Sequence, residues 1–217
     1  IFNMTDRIRD FVTKQKLHDY DIVQILPACT TRLDAKGAEK IIRIFAEINK
    51  TVKCKLIFVN PNPTSEKAAK KIDNFKKIAT ELSVINSVVF ASEHIYNFNS
   101  VGVTSDELSS LMLYSNLFIF PTTGETGSLV AKEAALNGCL MVLNADVPSL
   151  DEIASGGSES IMIEWGNNFN VGNDQETAIK VATLIVDRLS NSMQNKAKRK
   201  VLKEYNIEHC GAILDKL

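Results

Sequence analysis

The fold is decided by residues 117–143, which read LFIFPTTGETGSLVAKEAALNGCLMVL. Two short apolar runs, 117–120 and 139–143, enclose a polar loop and a segment that alternates small apolar and charged residues. That segment, 128–137, ends before Gly138, and glycine is strongly favoured just beyond the C-terminus of a helix. The order of strand, loop, helix and strand is typical of a parallel sheet with a helical crossover.

The same alternation continues along the rest of the chain. Short runs rich in Val, Ile and Phe predict six buried strands, at 21–26, 54–59, 87–91, 117–120, 139–143 and 160–164. Amphipathic segments predict helices at 37–50, 65–82, 104–115, 128–137 and 174–189. The sequence therefore predicts an α/β fold with a doubly wound, mostly parallel, six-stranded Rossmann-like sheet that carries helices on both faces.

The domain organisation follows from these segments. Residues 20–190 are predicted to form the Rossmann-like domain. Residues 1–19 are predicted to be a linker or leading helix from a missing N-terminal domain, and residues 191–217 to form C-terminal helices. The chain begins at Ile1 rather than at a methionine, so we expect a fragment of a longer protein.

Composition narrows the functional classes. The chain has 217 residues, of which 45% are apolar, and its formal net charge of −1 gives no general attraction to nucleic acid. Its four cysteines are scattered without a CxxC pair or a Cys/His cluster, which predicts no metal site and a reducing, cytoplasmic compartment. No apolar run approaches the ~18 residues of a transmembrane segment.

Doubly wound sheets bind ligands beyond the carboxyl ends of their strands, where the strand order reverses. With the strand order 3-2-1-4-5-6, the reversal lies between the first and the fourth strand. The loops predicted to form the site are therefore 27–36 and 121–127. No GxGxxG follows the first strand, which argues against a dehydrogenase.

The first loop, 27–36, carries a basic pair. Arg32 and Lys36 stand before the helix that begins near Gly37. An arginine fork and a lysine charge close to a helix N-terminus suit a phosphate or a diphosphate. The alternative is a solvated loop with ordinary surface charges. Gly37 either lets the backbone approach a ligand or simply begins the helix.

The second loop, 121–127, leads into a helix with one carboxylate at its start and another two turns inside. Glu125 is placed to accept hydrogen bonds from a sugar, and Glu133 to hold the two hydroxyls of a ribose. The alternatives are a favourable helix-dipole acid at Glu125 and an exposed helix charge at Glu133. The N–H groups predicted to bind a phosphate are those of Gly127, Ser128, Leu129 and Val130.

Three segments together resemble one known family. GETGSLVAKEAALNGCLMVLNADVPSLDEI (124–153) resembles the E-x7-E segment of retaining GT-B glycosyltransferases of the family-4 type. RLDAKGAEKIIRIFAEI (32–48) resembles the Arg…Lys-Gly element of that family, and SDELSSLMLYSNLFIFPT (105–122) resembles its helix and strand before the motif. The resemblance covers about residues 20–190 and implies the C-terminal, donor-binding domain of such an enzyme.

The resemblance also implies roles for individual residues. Glu125, Arg32 and Lys36 would be the catalytic residues: Arg32 and Lys36 would bind the donor diphosphate and Glu125 would contact the donor sugar. Glu133 would hold the ribose, and the amides of 127–130 the distal phosphate. The loop that would lie near the base contains Ser92, Glu93 and His94.

Two features depart from the family pattern. Arg32 and Lys36 are four positions apart, where the family more often has five or six. The common Gly-Phe-Gly after the first glutamate is replaced here by Thr126, Gly127 and Ser128, which alters the pocket beside the sugar.

The function implied is transfer of a hexose from a nucleoside diphosphate sugar to an acceptor hydroxyl, with retention of anomeric configuration. The base (UDP, GDP or ADP), the sugar and the acceptor stay open. We expect no obligatory cofactor or metal, a missing N-terminal GT-B domain as partner, and little transfer by the isolated chain. The alternatives are a non-catalytic nucleotide-sugar-binding or regulatory module and a 2-epimerase-like enzyme. The basic run 196–203 predicts a solvated helix face or a peripheral contact with anionic lipid.

Overall fold

A computed structural model of the chain describes residues 4–63, 65–95, 102–154, 160–166 and 175–204. Six parallel strands form two three-stranded sheets, ordered β1-β2-β3 and β4-β5-β6. The strands are β1 (Ile22–Pro27), β2 (Cys54–Val59), β3 (Val88–Phe90), β4 (Leu117–Phe120), β5 (Leu140–Asn144) and β6 (Ser160–Ile163). The predicted α/β class and the six parallel strands are confirmed.

Eight helices accompany the strands in the described part of the chain. They are α1 (Asp6–Gln15), α2 (Ala38–Ile48), α3 (Glu66–Glu81), α4 (Ser105–Met112), α5 (Leu129–Leu136), α6 (Pro148–Ala154), α7 (Gln175–Asn191) and α8 (Met193–Glu204). Helices α2, α3 and α7 pack together, and α1, α4, α5 and α6 form a second group. Because right-handed crossovers run in opposite directions from β1 to β3 and from β4 to β6, the two groups cover opposite faces.

The two sheets meet along β1 and β4, where side chains replace the backbone ladder. The buried amide of Gln24 donates to the carbonyl oxygen of Ile119 (2.9 Å) and accepts from its N–H (3.1 Å). Asn116, directly before β4, donates its N–H to the carbonyl oxygen of Val23 and accepts from the N–H of Val23. The spatial order is therefore β3-β2-β1-β4-β5-β6, with a side-chain seam in place of a continuous ladder.

Helix α1 packs into the core of the domain. Its apolar face buries Ile8, Phe11 and Val12 within the same hydrophobic cluster as the strands. On its other side, Arg7 donates to the buried carboxylate of Glu107 in α4 (2.7 Å from Nε to Oε1). Segment 1–19, predicted as a linker or leading helix, thus contributes core residues to the domain it precedes.

Helix α8 closes the amino-terminal edge of the seam. The guanidinium of Arg199, which is only 6% exposed, donates to the backbone carbonyl oxygens of Leu17 (2.9 Å) and Tyr114 (3.1 Å). Lys198 donates to the carbonyl oxygen of Asn137 (2.9 Å). Two residues of the basic run 196–203, Lys198 and Arg199, therefore hold α8 against the domain through hydrogen bonds to backbone carbonyl oxygens. The rest of the predicted C-terminal segment, 205–217, lies outside the described residues.

Within the described residues, no helix is both long and apolar enough to cross a membrane.

Candidate functional site

The loops after β1 and β4 touch each other at Gly37 and Pro121. Gly37 precedes α2 with a φ of +71°, in the left-handed region that favours glycine. A Cβ atom at this position would lie 2.5 Å from Cγ of Pro121. Gly37 therefore precedes the helix as expected, and it permits a close approach to the neighbouring loop. An approach of its backbone to a ligand stays a prediction.

Lys36 and Glu125 are brought together across the same junction. The ammonium of Lys36 contacts Oε1 of Glu125, and the two side chains are only 13% and 14% exposed. Nζ of Lys36 also lies 4.8 Å from the centroid of the Phe120 ring, a cation–π distance. Two residues that are 89 positions apart in sequence therefore form one nearly buried pair where the strand order is predicted to reverse, between β1 and β4.

The environment of Lys36 changes its protonation. Burial, and to a smaller extent the positive charge of Arg32, lower the pKa of Lys36 to about 8. The carboxylate of Glu125 acts in the opposite direction, because an adjacent negative charge favours the ammonium form. The Lys36 ammonium therefore lies in a largely desolvated position, where it attracts a neighbouring anion more strongly than it would in water.

Arg32 lies at the rim of the site. It ends a 3-10 turn, Thr30–Arg32, and its side chain is exposed. Among the described residues its guanidinium has no ion-pair partner, whereas Asp34 is paired with Lys71 of α3. Arg32 is thus close enough to Lys36 for its positive charge to lower the pKa of that lysine. Its exposed guanidinium is accessible to a ligand.

The start of α5 offers backbone donors beside this pair. Ser128 is the N-cap residue, and its hydroxyl accepts from the N–H of Ala131 (3.2 Å), so that hydroxyl is already engaged. In this first turn the N–H groups of Leu129 and Val130 have no intrahelical acceptor. A Cβ atom at Gly124 or Gly127 would meet nothing within 4 Å. The loop therefore leaves open space in front of the helix N-terminus, where an anion is favoured.

Glu133 lies on the exposed side of α5. Ala131 and Ala134 on the same helix are buried, whereas Glu133 is exposed. Leu129 and Leu136, four positions before it and three after, are also exposed and share its side of the helix. The carboxylate is thus accessible, but the structure does not join it to Lys36 or Arg32.

The three residues predicted to lie near the base, 92–94, have different surroundings. The hydroxyl of Ser92 accepts from the amide of Asn60 (2.9 Å), and exposed Glu93 pairs with Lys76 (2.9 Å). His94 is exposed, and its pKa is lowered by burial and by nearby lysines, against the opposing effect of Glu93. At neutral pH the imidazole of His94 is therefore a neutral hydrogen-bonding group.

Two buried asparagines that the sequence reasoning missed stand at the carboxyl edge of the sheets. Asn60 follows β2 and donates to the hydroxyls of Thr30 and Ser92. Asn144 ends β5 and donates to the carbonyl oxygens of Thr122 and Gly166. Both are 0% exposed. A polar amide directly after an apolar run was the signal available in the sequence.

The backbone of the second loop has a further support. Ser149, in the first turn of α6, donates its hydroxyl to the carbonyl oxygen of Glu125 (2.7 Å). No cluster of three or more His, Cys, Asp or Glu able to hold a metal ion occurs in the ranges that the structure describes. The expectation of a reaction without an obligatory metal stays a prediction.

Comparisons with known proteins give matches to solved structures alone. No protein-family model matches the chain. No curated protein matches it. Among solved structures, WaaG, a glycosyltransferase involved in lipopolysaccharide biosynthesis, is similar with a TM-score of 0.59 and 17% identity, over 94% of this chain and 47% of that chain. A glycosyltransferase from Rickettsia africae gives a TM-score of 0.62 at 14% identity, over 95% of this chain and 48% of that one.

A third similar structure is an α,α-trehalose-phosphate synthase (UDP-forming) from Burkholderia vietnamiensis, with a TM-score of 0.58 and 9% identity over 99% of this chain and 52% of that one. The chain thus spans about half the length of the structures it matches. At such low identities the similarity concerns the fold alone. The described residues have the fold of one half of a GT-B glycosyltransferase.

Proposed function

We propose that this chain is the donor-binding half of a retaining glycosyltransferase of the family-4 type, which transfers a hexose from a nucleoside diphosphate sugar to an acceptor hydroxyl. One observation carries the proposal. The nearly buried contact between Lys36 and Glu125 joins the two loops at the strand-order reversal, beside the open N-terminus of α5. A cation, a carboxylate and free amides at one point suit a ligand with both a diphosphate and a sugar.

The cationic side of the site would hold the diphosphate. Arg32 offers a planar fork of donors that matches phosphate oxygens, and Lys36 adds a desolvated point charge. The amides of Leu129 and Val130 would take a phosphate oxygen at the start of α5. As the glycosidic bond breaks, negative charge grows on the diphosphate. Donors already oriented towards that charge would stabilise the transition state more than the ground state.

The acidic side of the site would hold the sugars. Glu125 is fixed at its backbone by Ser149 and at its carboxylate by Lys36. When the diphosphate takes the charge of Lys36, the Glu125 carboxylate becomes free to accept hydrogen bonds from the donor hexose. Glu133 is accessible on α5 and would accept from the ribose hydroxyls.

The missing parts of the reaction would come from elsewhere in a longer protein. The matched structures are about twice as long as this chain, so we propose a second GT-B domain that supplies the acceptor site. Three of the similar structures involve UDP: two are UDP-forming α,α-trehalose-phosphate synthases, and a third holds UDP-2-fluoro glucose. UDP is therefore the first nucleotide to test, with GDP and ADP beside it.

The proposal is tested by calorimetric titration of the chain with UDP, GDP, ADP and their glucose forms. We expect one base to be preferred, and Glu133→Ala to weaken its binding by about tenfold through loss of a charged hydrogen-bond acceptor. The matched control is Glu176→Ala, an exposed glutamate in the first turn of α7. Equal affinity of both variants would remove Glu133 from the site, and failure of every nucleotide to bind would contradict the proposal.

A second experiment separates the reaction classes. A longer protein that contains this chain and its second domain is incubated with the nucleotide sugar that binds, with and without acceptor. Transfer with retention supports the proposed enzyme. Binding without transfer would indicate a non-catalytic module, and conversion of the nucleotide sugar without acceptor would indicate a 2-epimerase-like enzyme.

A further inference from the structure

Asn60 and Asn144 occupy equivalent positions in the two sheets. β2 is the central strand of the first sheet, and β5 is the central strand of the second. In β2 the last residue aligned with β1 is Val59, and Asn60 comes next. In β5 the last residue aligned with β4 is Leu143, and Asn144 comes next. Asn60 therefore stands one residue beyond β2, and Asn144 is the last residue of β5, where it is still aligned with Ile163 of β6. Both lie at the carboxyl edge of the sheets, next to the loops that follow the strands.

The amide of Asn60 ties together the loops of the first sheet. The two protons on its Nδ2 are shared among three acceptors: the hydroxyl of Thr30 (3.2 Å) after β1, the carbonyl oxygen of Pro61 (3.3 Å) after β2, and the hydroxyl of Ser92 (2.9 Å) after β3. Its Oδ1 is buried without a hydrogen-bond partner among the described residues. Asn60 thus links the loops after β1 and β3 to the start of its own loop after β2.

The amide of Asn144 does the same in the second sheet. Its Nδ2 donates to the carbonyl oxygens of Thr122 (3.0 Å) after β4 and Gly166 (3.1 Å) after β6. Its Oδ1 accepts from the N–H groups of Asp146 (3.1 Å) and Trp165 (3.3 Å). The loop held through Thr122 is the one that carries Glu125 three residues later.

We propose that Asn60 and Asn144 are two positioning residues that order separate halves of the donor site. Asn60 sets the loop of Ser92, on the nucleoside side, and the start of the loop that carries Arg32 and Lys36, whereas Asn144 sets the loop of Glu125, on the sugar side. This inference rests on the proposed function. It assigns base discrimination and sugar recognition to two different amides, since among the described residues the side chain of Asn60 reaches only loops of the first sheet and that of Asn144 only loops of the second. The two groups of loops meet at the contact between Lys36 and Glu125.

The test is a crossed comparison of Asn60→Ala and Asn144→Ala by calorimetry. The probes are UDP, GDP, ADP and the glucose form of each. Asn60→Ala is expected to reduce the ratio of affinities between bases by about two- to tenfold, the scale of one lost hydrogen bond, and to leave the ratio of UDP-glucose to UDP unchanged. Asn144→Ala is expected to reduce the sugar ratio by a similar factor and to leave the base ratio unchanged.

Asn116 provides a matched control at the opposite edge of the sheets. It is equally buried, and its amide also bridges backbone groups, those of Val23 and Asp21. Asn116→Ala should lower stability while both affinity ratios keep their wild-type values. If Asn60 and Asn144 only stabilise the fold, each alanine variant would change both the base ratio and the sugar ratio, or neither. Either result would overturn the separate positioning roles.

Milder variants keep the test decisive if an alanine variant fails to fold. Asn144→Ser keeps an uncharged polar group at this buried position, and its shorter side chain weakens the donations to Thr122 and Gly166 without burying a charge. Ser92→Ala removes one partner of Asn60 and leaves the amide in place. Each should reproduce the effect of the corresponding alanine variant on its own affinity ratio, and a change in the other ratio would overturn the proposal.

Hydrogen exchange distinguishes failure of this inference from failure of the proposed function. If the wild-type chain binds no nucleotide, the proposed function fails. The positioning roles are then judged by amide exchange in segments 28–33 and 91–95 for Asn60→Ala, and 122–128 and 165–166 for Asn144→Ala. Faster exchange confined to each variant's own segments supports separate roles. Faster exchange in both groups for either variant, or in neither, overturns them.

Discussion

Lys36 is the residue on which the proposed chemistry depends most. It is nearly buried, contacts Glu125 and lies over Phe120, and its pKa is lowered to about 8. A lysine with an ordinary pKa would stay charged throughout the working range of most enzymes. Here burial brings the loss of the charge that would bind a diphosphate down towards pH 8, against the opposing effect of the Glu125 carboxylate.

The affinity for UDP, or for the base that binds best, should therefore fall as pH rises from 7 to 9.5. The expected slope is at most about tenfold per pH unit, because one proton is involved. Phosphate groups titrate near pH 6, below this window. Calorimetry at a series of pH values measures the slope, and Lys36→Met should bind more weakly with no slope. A slope that persists in Lys36→Met would assign the titration to another group.

Cys29 gives a chemical probe of the same loop. Its thiol is exposed, and its pKa is lowered by hydrogen bonding to Thr31 and by the nearby charge of Arg32. Cys54 and Cys139 are buried, and burial raises the pKa of both thiols, that of Cys54 to about 12. We therefore expect iodoacetamide to modify Cys29 well before these two, because the thiolate is the reactive form.

Bound nucleotide should slow that modification by several-fold, since Arg32 would then be covered by a diphosphate. Mass spectrometry of the labelled peptide, with Cys29→Ser to identify labelling elsewhere in the chain, measures the effect. An identical labelling rate with saturating nucleotide would place the ligand away from the first loop.

At the scale of the helix and strand, α1 is joined to α4 by a charged hydrogen-bonding group. Glu107 accepts from Arg7 and Thr5, and it forms a capping box with Thr104. Hydrogen bonding by Arg7 is the main cause that lowers the pKa of Glu107 to about 2. The carboxylate therefore stabilises the fold fully above its ordinary pKa near 4.5, and this stabilisation is lost as pH falls from there towards 2.

Glu107→Gln should accordingly lower the free energy of unfolding by about 2–3 kcal/mol at pH 7 and flatten its pH dependence between about 4.5 and 2. Urea unfolding at several pH values measures both effects. Asp106→Asn, an exposed acid in the same helical turn, is the control and should change stability by less than about 1 kcal/mol. Equal effects of the two variants would assign the stabilisation to the helix dipole instead of Arg7.

The elements were well predicted from the sequence, and the reason is local. Strand β4 is a continuous apolar run and β2 is interrupted only by Lys55, and both were predicted with the bounds seen in the structure. Helix α6 was not predicted, because seven residues starting at Pro148 are too few to show a helical period. The burial of α1 was missed because the partner of Arg7 lies 100 residues away.

The sequence named candidate site residues but did not show how they are connected. Arg32, Lys36 and Glu125 were identified from charge and position, and the structure joins two of them. The contact of Gly37 with Pro121 and the roles of Asn60 and Asn144 depend on neighbours that only the tertiary fold supplies. A polar residue at the end of an apolar run indicates a special position, but its partners cannot be read from the run itself.

At the scale of the whole molecule, the seam between β1 and β4 is the distinctive feature. Gln24 is fully buried and satisfies both backbone groups of Ile119. Gln24→Leu keeps the approximate size of the side chain but leaves a buried N–H and carbonyl oxygen unpaired. We expect the free energy of unfolding to fall by about 2–4 kcal/mol, measured by urea denaturation.

A control at an exposed position on the same chain, Gln175→Leu, should have little effect, since the only hydrogen bond of the Gln175 side chain among the described residues is an exposed one to Glu47. Unchanged stability of Gln24→Leu would mean that water or a rearranged backbone can take the place of the side-chain seam.

The packing of α7 along α2 has a consequence for biosynthesis. Helix α2 belongs to the first half of the chain and buries residues on most of its circumference, including Ile41, Ile44 and Phe45. Part of its cover is α7, which is made only after β6. On the ribosome, the first three strands can pair early, because they are contiguous in sequence. The face of α2 that packs against α7 nevertheless stays uncovered until α7 has been synthesised. We therefore expect a chaperone to bind this apolar surface of the nascent chain for longest.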